Sequence, residues 1–97
     1  MNSIAVIGSR WFQRSTGNTY HTAEIIIDGE TVYRTPEKYG YGNQFLATAA
    51  EWLEKNGYMP GRTHHDNGSK ESLYWYCDRM RIVFTYSTVD VSRKRDL

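Results

Sequence analysis

The stretch TYHTAEIIIDGETVYRT, residues 19–35, decides the fold. Its centre, Asp28-Gly29, is a strong hairpin signal, because both residues tolerate the positive φ that a two-residue turn between antiparallel strands requires. The flanks are rich in β-branched and aromatic residues, which suit a pleated surface. Residues 19–27 and 30–35 therefore read as two strands. Pro36 stops the second, since it has no N–H to give to a ladder. The turn pairs Ile27 with Glu30, Ile25 with Val32 and Ala23 with Arg34. One face then carries Ala23, Ile25, Ile27 and Val32, the expected core. The other carries Tyr20, Thr22, Glu24 and Tyr33.

Upstream, residues 3–14 (SIAVIGSRWFQR) read as a strand joined to residues 19–27 by turn chemistry at Ser15-Thr16-Gly17-Asn18. An even-length turn puts Ile4, Val6 and Phe12 on the core face, with Trp11 and Gln13 on the outer one. The same register sends Arg10, Arg14 and Arg34 to the core side. Two resolutions are open: a bulge flips the parity, or no helix covers that end of the sheet.

Downstream, residues 43–56 read as a helix with an apolar stripe of Phe45, Leu46, Ala49, Ala50 and Leu53. Asn43 is its expected N-cap and Gly57 its C-terminal left-handed residue. Residues 58–68 are a polar loop. Residues 70–80 read as a second helix, capped by Ser69, with Leu73, Tyr76, Cys77 and Met80 on one side. Residues 81–91 alternate and read as a final strand, with Ile82, Phe84 and Tyr86 on one face. Residues 92–97 form a basic, loose tail. The expected fold is a single α+β domain over residues 1–97. Its order is βββααβ, an antiparallel sheet of about four strands with both helices packed on one face.

Composition narrows the function. Lys and Arg number 12 against 11 Asp and Glu, a net charge of +1. No global field steers such a chain onto nucleic acid or an anionic membrane. One cysteine, Cys77, excludes an internal disulfide and a Cys-based zinc site, and suits a reducing compartment. No leader-like or membrane-spanning apolar run is present, so a cytoplasmic protein is expected.

Each candidate site has a structural reading beside its functional one. Trp11, Tyr20 and Tyr33 on the outer face would anchor a partner or stack bases, or they are ordinary cross-strand pairs. Arg10, Arg14 and Arg34, with His21 nearby, would hold a phosphate or carboxylate, or they are scattered surface charge. The run Lys38 to Asn43 (KYGYGN) would present backbone N–H groups to an anion, or it is a turn and cap. His64-His65-Asp66 lacks metal-ligand spacing and reads as a solvated loop. Cys77 lies on the apolar stripe and reads as a packing residue. Arg93, Lys94 and Arg95 would contact phosphates or an acidic partner, or are a solvated end. No Ser-His-Asp arrangement in context, nucleophile elbow or paired-carboxylate motif emerges, so a non-enzyme without cofactor or metal is expected.

Three stretches carry a resemblance: Arg10-Trp11-Phe12 with Gly17-Asn18-Thr19-Tyr20-His21; Tyr39-Gly40-Tyr41-Gly42; and Val89 to Leu97 (VDVSRKRDL). Together they resemble a group of small accessory proteins carried by tailed bacteriophages and prophages. The resemblance implies action in the bacterial cytoplasm by stoichiometric binding to host machinery, a host protein or ribonucleoprotein complex. Inhibition of a defence system, of the anti-CRISPR or anti-restriction type, is one such role. The alternatives are a nucleic-acid-binding protein using the aromatic and basic sheet face, and a nucleotide-ligand sponge.

Overall fold

A computed structural model describes residues Met1–Leu97. Strands β1 (Ser3–Gln13), β2 (Asn18–Ile27), β3 (Glu30–Arg34) and the short β4 (Lys38–Tyr39) precede helices α1 (Gln44–Lys55) and α2 (Leu73–Met80). Strand β5 (Val83–Val91) and a 3-10 turn at Lys94–Asp96 complete the chain. The fold is α+β, with sheet order β3-β2-β1-β5 and β4 also on β2.

The sheet is mixed, which corrects the expected all-antiparallel arrangement of about four strands. The β1–β2, β2–β3 and β2–β4 pairs are antiparallel, but β5 runs parallel to β1. The cause is the connection. The chain leaves the β3/β4 edge, passes through both helices and re-enters beside β1 in the same direction, as a crossover does. The fifth strand, β4, arises because Pro36 ends β3 without ending the extended chain.

The core forms where expected except at Phe12 and Val32, which stay 55% and 36% exposed. Ile4, Val6, Ala23 and Ile25 are fully buried beneath Phe45, Ala49, Ala50 and Leu53 of α1. Leu73, Tyr76 and Cys77 of α2 join the same cluster. Burying each large apolar side chain is worth about 1.5–3 kcal/mol, so this layer is what holds helices to sheet. Gly8 sits in its midst. A Cβ there would stand 2.4 Å from Cγ of Phe45, so the ring occupies the space any other residue needs.

Asp28 and Gly29 both take positive φ (+50° and +85°), and Ile27 pairs with Glu30 as the turn dictates. The register then slips between Ile25 and Ile26. Ile25 pairs with Tyr33 and Glu24 with Arg34, instead of Ile25 with Val32 and Ala23 with Arg34. The bulge reverses the outer half of β3. Val32 is exposed rather than core. Tyr33 turns to the helix side and stacks on Trp52 at 4.6 Å. Arg34 moves to the bare face and pairs with Glu24 at 2.9 Å.

Two helix ends differ from expectation. Asn43 makes no side-chain cap bond. Ser72, not Ser69, caps the second helix by accepting from the Trp75 N–H, and the helix starts at Leu73. Residues 69–72 are instead tied into the preceding loop, where His64 bridges Lys70 in a short antiparallel pairing. Met80, at the end of the apolar stripe, stays 44% exposed.

Ion pairs pin that loop. Arg62 reaches Glu54 at 3.0 Å and Glu51 at 3.5 Å, and donates to the Glu71 carbonyl at 2.8 Å. Arg79 donates two bonds to the Glu71 carboxylate, which also accepts from the Thr63 N–H. The Arg79 bonds, reinforced by Thr63, hold the Glu71 carboxyl at about 2 against an ordinary 4.5. A carboxylate whose pKa falls on folding stabilises the native state above its unfolded value, and that contribution is lost as pH falls through the folded value. Glu71→Gln is therefore expected to be less stable than wild type at neutral pH. It should also lose stability less steeply between pH 4.5 and about 2. Urea denaturation across that range checks it, and parallel curves for the two proteins would contradict the assignment.

Candidate functional site

The helix layer stops short of one end of the sheet. Phe45 covers Gly8, and two residues beyond Arg10 the ring of Phe12 is 55% exposed, though it points to the helix side. The second resolution of the arginine conflict thus holds for Arg10, as the first holds for Arg34. At this open end both faces of the sheet carry exposed chemistry.

On the bare face, Val91, Trp11, Tyr20 and Tyr39 are Cα partners in a row across β5, β1, β2 and β4. Trp11 stacks on Tyr20 at 5.9 Å with 29° between the planes. Tyr20 meets Tyr39 edge-on at 5.8 Å. Strand pairing sets this row, since residues directly opposite one another share a face.

On the helix side, the row behind it is Asp90, Arg10, His21 and Lys38. Arg10 forks onto Asp90 with bonds of 2.8 and 3.2 Å, and its remaining nitrogen donates to the Gly42 carbonyl at 3.1 Å. Phe12, Thr19 and Tyr41 complete a shallow cleft around that pair. His21 belongs to the core rather than to an arginine cluster. It is buried, with Nδ1 on the Gly40 carbonyl at 3.1 Å and Nε2 on the Thr48 hydroxyl at 2.7 Å. A carbonyl only accepts, so the Nδ1–H donates to Gly40.

The remaining candidates are dispersed. Arg34 lies on the bare face and Arg10 on the helix side, so the expected arginine grouping does not form. Arg14 lies just past β1 in the exposed turn. The glycine run presents acceptors rather than an anion nest: Gly40 N–H donates to Thr19, and the carbonyls of Gly40 and Gly42 serve His21 and Arg10. Arg93 pairs with Asp96 and Lys94 with Glu37, while Arg95 is exposed beside them. His64 hydrogen-bonds Glu54. No three His, Cys, Asp or Glu side chains are placed to share a metal ion. Burial pushes the Cys77 thiol up to about 11, far from a reactive thiolate. No helix is long and apolar enough to cross a membrane.

No protein family, curated protein or solved structure matches this chain.

The site therefore rests on its own geometry. Strand parity in the sequence puts Trp11 and Tyr20 on one face but does not reveal Tyr39, because a two-residue strand has no periodicity to detect. Nor does it reveal Asp90 as the partner of Arg10, 80 residues away. Only the parallel pairing of β5 with β1 brings those two abreast.

Proposed function

We propose that this protein acts stoichiometrically, by binding a host macromolecule through the open end of its sheet. Inhibition of a host defence system is the role that the phage-protein resemblance favours. The observation that carries the reading is the Trp11–Tyr20–Tyr39 row, with Arg10, Phe12 and Tyr41 on the reverse of the same edge. Aromatic side chains beside a partly buried arginine are the usual energetic anchors of protein interfaces. Rigid cross-strand stacking also means that little side-chain entropy is lost on docking.

Electrostatics favour a protein partner over nucleic acid. Arg10, Arg34 and Lys94 each already face a carboxylate. The Asp90 carboxylate lines the cleft where a nucleotide phosphate would sit. Phosphate contacts draw their affinity from free cationic side chains. The aromatic row retains the stacking chemistry of single-strand binders, so nucleic acid is the second reading.

The experiment is a pull-down of the tagged protein from bacterial lysate, with and without nuclease, for wild type, Trp11→Ala and Tyr39→Ala. A protein partner that survives nuclease and is lost from the folded variants is the expected result. Unchanged capture by both variants would remove the site. Recovery of nuclease-sensitive material alone would put nucleic acid first.

A further inference from the structure

The two edges of the sheet are treated in opposite ways. The β3 edge is guarded: it is five residues long, carries Glu30 and Arg34, is broken by the bulge, and ends at Pro36. Such devices stop a sheet from pairing with another chain. The β5 edge has none of them beyond a single charge, Asp90, which Arg10 of the same chain neutralises. It runs nine residues, VFTYSTVDV, with no Pro, Gly, Lys or Arg, and its register on β1 is unbroken from Val83 to Val91.

The free groups of that edge can be assigned. The Val83 N–H donates to the Asn2 carbonyl, so Val83 and every second residue after it face β1. In a parallel ladder the alternate residues face away. Phe84, Tyr86, Thr88 and Asp90 therefore point both N–H and C=O outward. No hydrogen bond from a loop, helix or side chain reaches those main-chain groups. The C-terminal tail does not cover them either, since Lys94 crosses to Glu37 beside β4, at the opposite edge.

We propose that β5 pairs antiparallel with β5 of a second copy of this chain, about a two-fold axis at Ser87, giving one continuous sheet across a homodimer. That register alone matches all the outward residues, Phe84 with Asp90 and Tyr86 with Thr88, each in both directions. A shift by two residues in either direction leaves an outward residue unmatched. On the bare face it sets Val83 against Val91 and Thr85 against Val89, the β-branched pairs that stabilise sheets. Charge permits it. Asp90 is the strand's single charge, and Arg10 of the same chain neutralises it, so two copies meet without like-charge repulsion. Val83 and Val89, 66% and 48% exposed in the single chain, would be shielded by the pairing. A second copy is favoured over a foreign strand because the edge is complementary to itself under a closed two-fold. The proposal does not depend on the partner-binding role of the aromatic row.

Sedimentation of the purified full chain across a concentration series tests it, together with two variants. Ser87→Cys places two thiols at the axis, at a non-hydrogen-bonded pair where Cα atoms stand about 4.5 Å apart. It should form an interchain disulfide on mild oxidation, whereas Thr85→Cys, opposite Val89, should not. Thr88→Pro removes an outward N–H that the β1 ladder does not use. It should leave the monomer folded and weaken association at least about tenfold. A wild-type protein that stays monomeric throughout would overturn the proposal. So would a dimer in which Ser87→Cys fails to cross-link. If Thr88→Pro does not fold, the contrast between Ser87→Cys and Thr85→Cys decides alone.

Discussion

Gly8→Val is expected to lower the unfolding free energy by roughly 3 kcal/mol or more. A single Cβ at this position already falls 2.4–2.5 Å from Cγ and both Cδ atoms of Phe45. These are the near end of the side chain, so the ring cannot swing clear by bending its tip. Phe45 is fully buried, and the Phe84–Tyr86 stack lies against one side of it. Replacing a strand glycine normally stabilises by about 0.5–1 kcal/mol through the unfolded chain, which is too little to offset the overlap. A small domain has only about 5–15 kcal/mol in total, so the loss is large. The measurement is a double-mutant cycle by chemical denaturation with Phe45→Leu. The smaller side chain should recover part of the deficit, giving a clear coupling energy. Additive effects would mean that the ring and Gly8 do not share space.

Arg62→Ala should follow at about 2–3 kcal/mol. The Arg62 side chain is 4% exposed and serves three acceptors in the loop and α1. Its loss leaves the Glu71 carbonyl without that donor. It also removes one cationic partner from Glu51 and Glu54, which then keep only Lys70 and His64 respectively. Glu51 is half exposed, so solvent screening keeps the cost below that of a fully buried pair. Arg62→Lys should restore less than half, because one ammonium cannot reproduce the planar fork. Denaturant curves give the size of the effect. Hydrogen exchange over residues 58–72 should show faster opening there than in β1 and β2. A variant within about 0.5 kcal/mol of wild type would place Arg62 among ordinary surface residues.

Both positions went unread in the sequence, and the reason is the same. Gly8 in a strand and Arg62 in a loop take their importance from partners 37 and 8 or more residues away. The same holds for the Arg10–Asp90 pair in the candidate site. Trp11 and Tyr20, by contrast, were legible as residues of one face, because an even-length turn fixes the parity of the pairing, though the exact register that sets them opposite was not.

The sequence by itself determined the local facts. Asp28-Gly29 set the hairpin, alternation set the Ile4, Val6, Ala23, Ile25 and Ile27 face, and helical spacing set the Phe45 to Leu53 stripe. These depend on steric preferences within a few residues of chain. The tertiary structure decided the rest. A bulge near Val32 sent Tyr33 to the helices and Arg34 to the bare face, because Tyr33 gained the Trp52 stack and Arg34 the Glu24 carboxylate. The direction of β5 was likewise a tertiary decision. An alternating strand pairs as well parallel as antiparallel, and only the path of the two-helix crossover sets which neighbour it meets and which edge it leaves open.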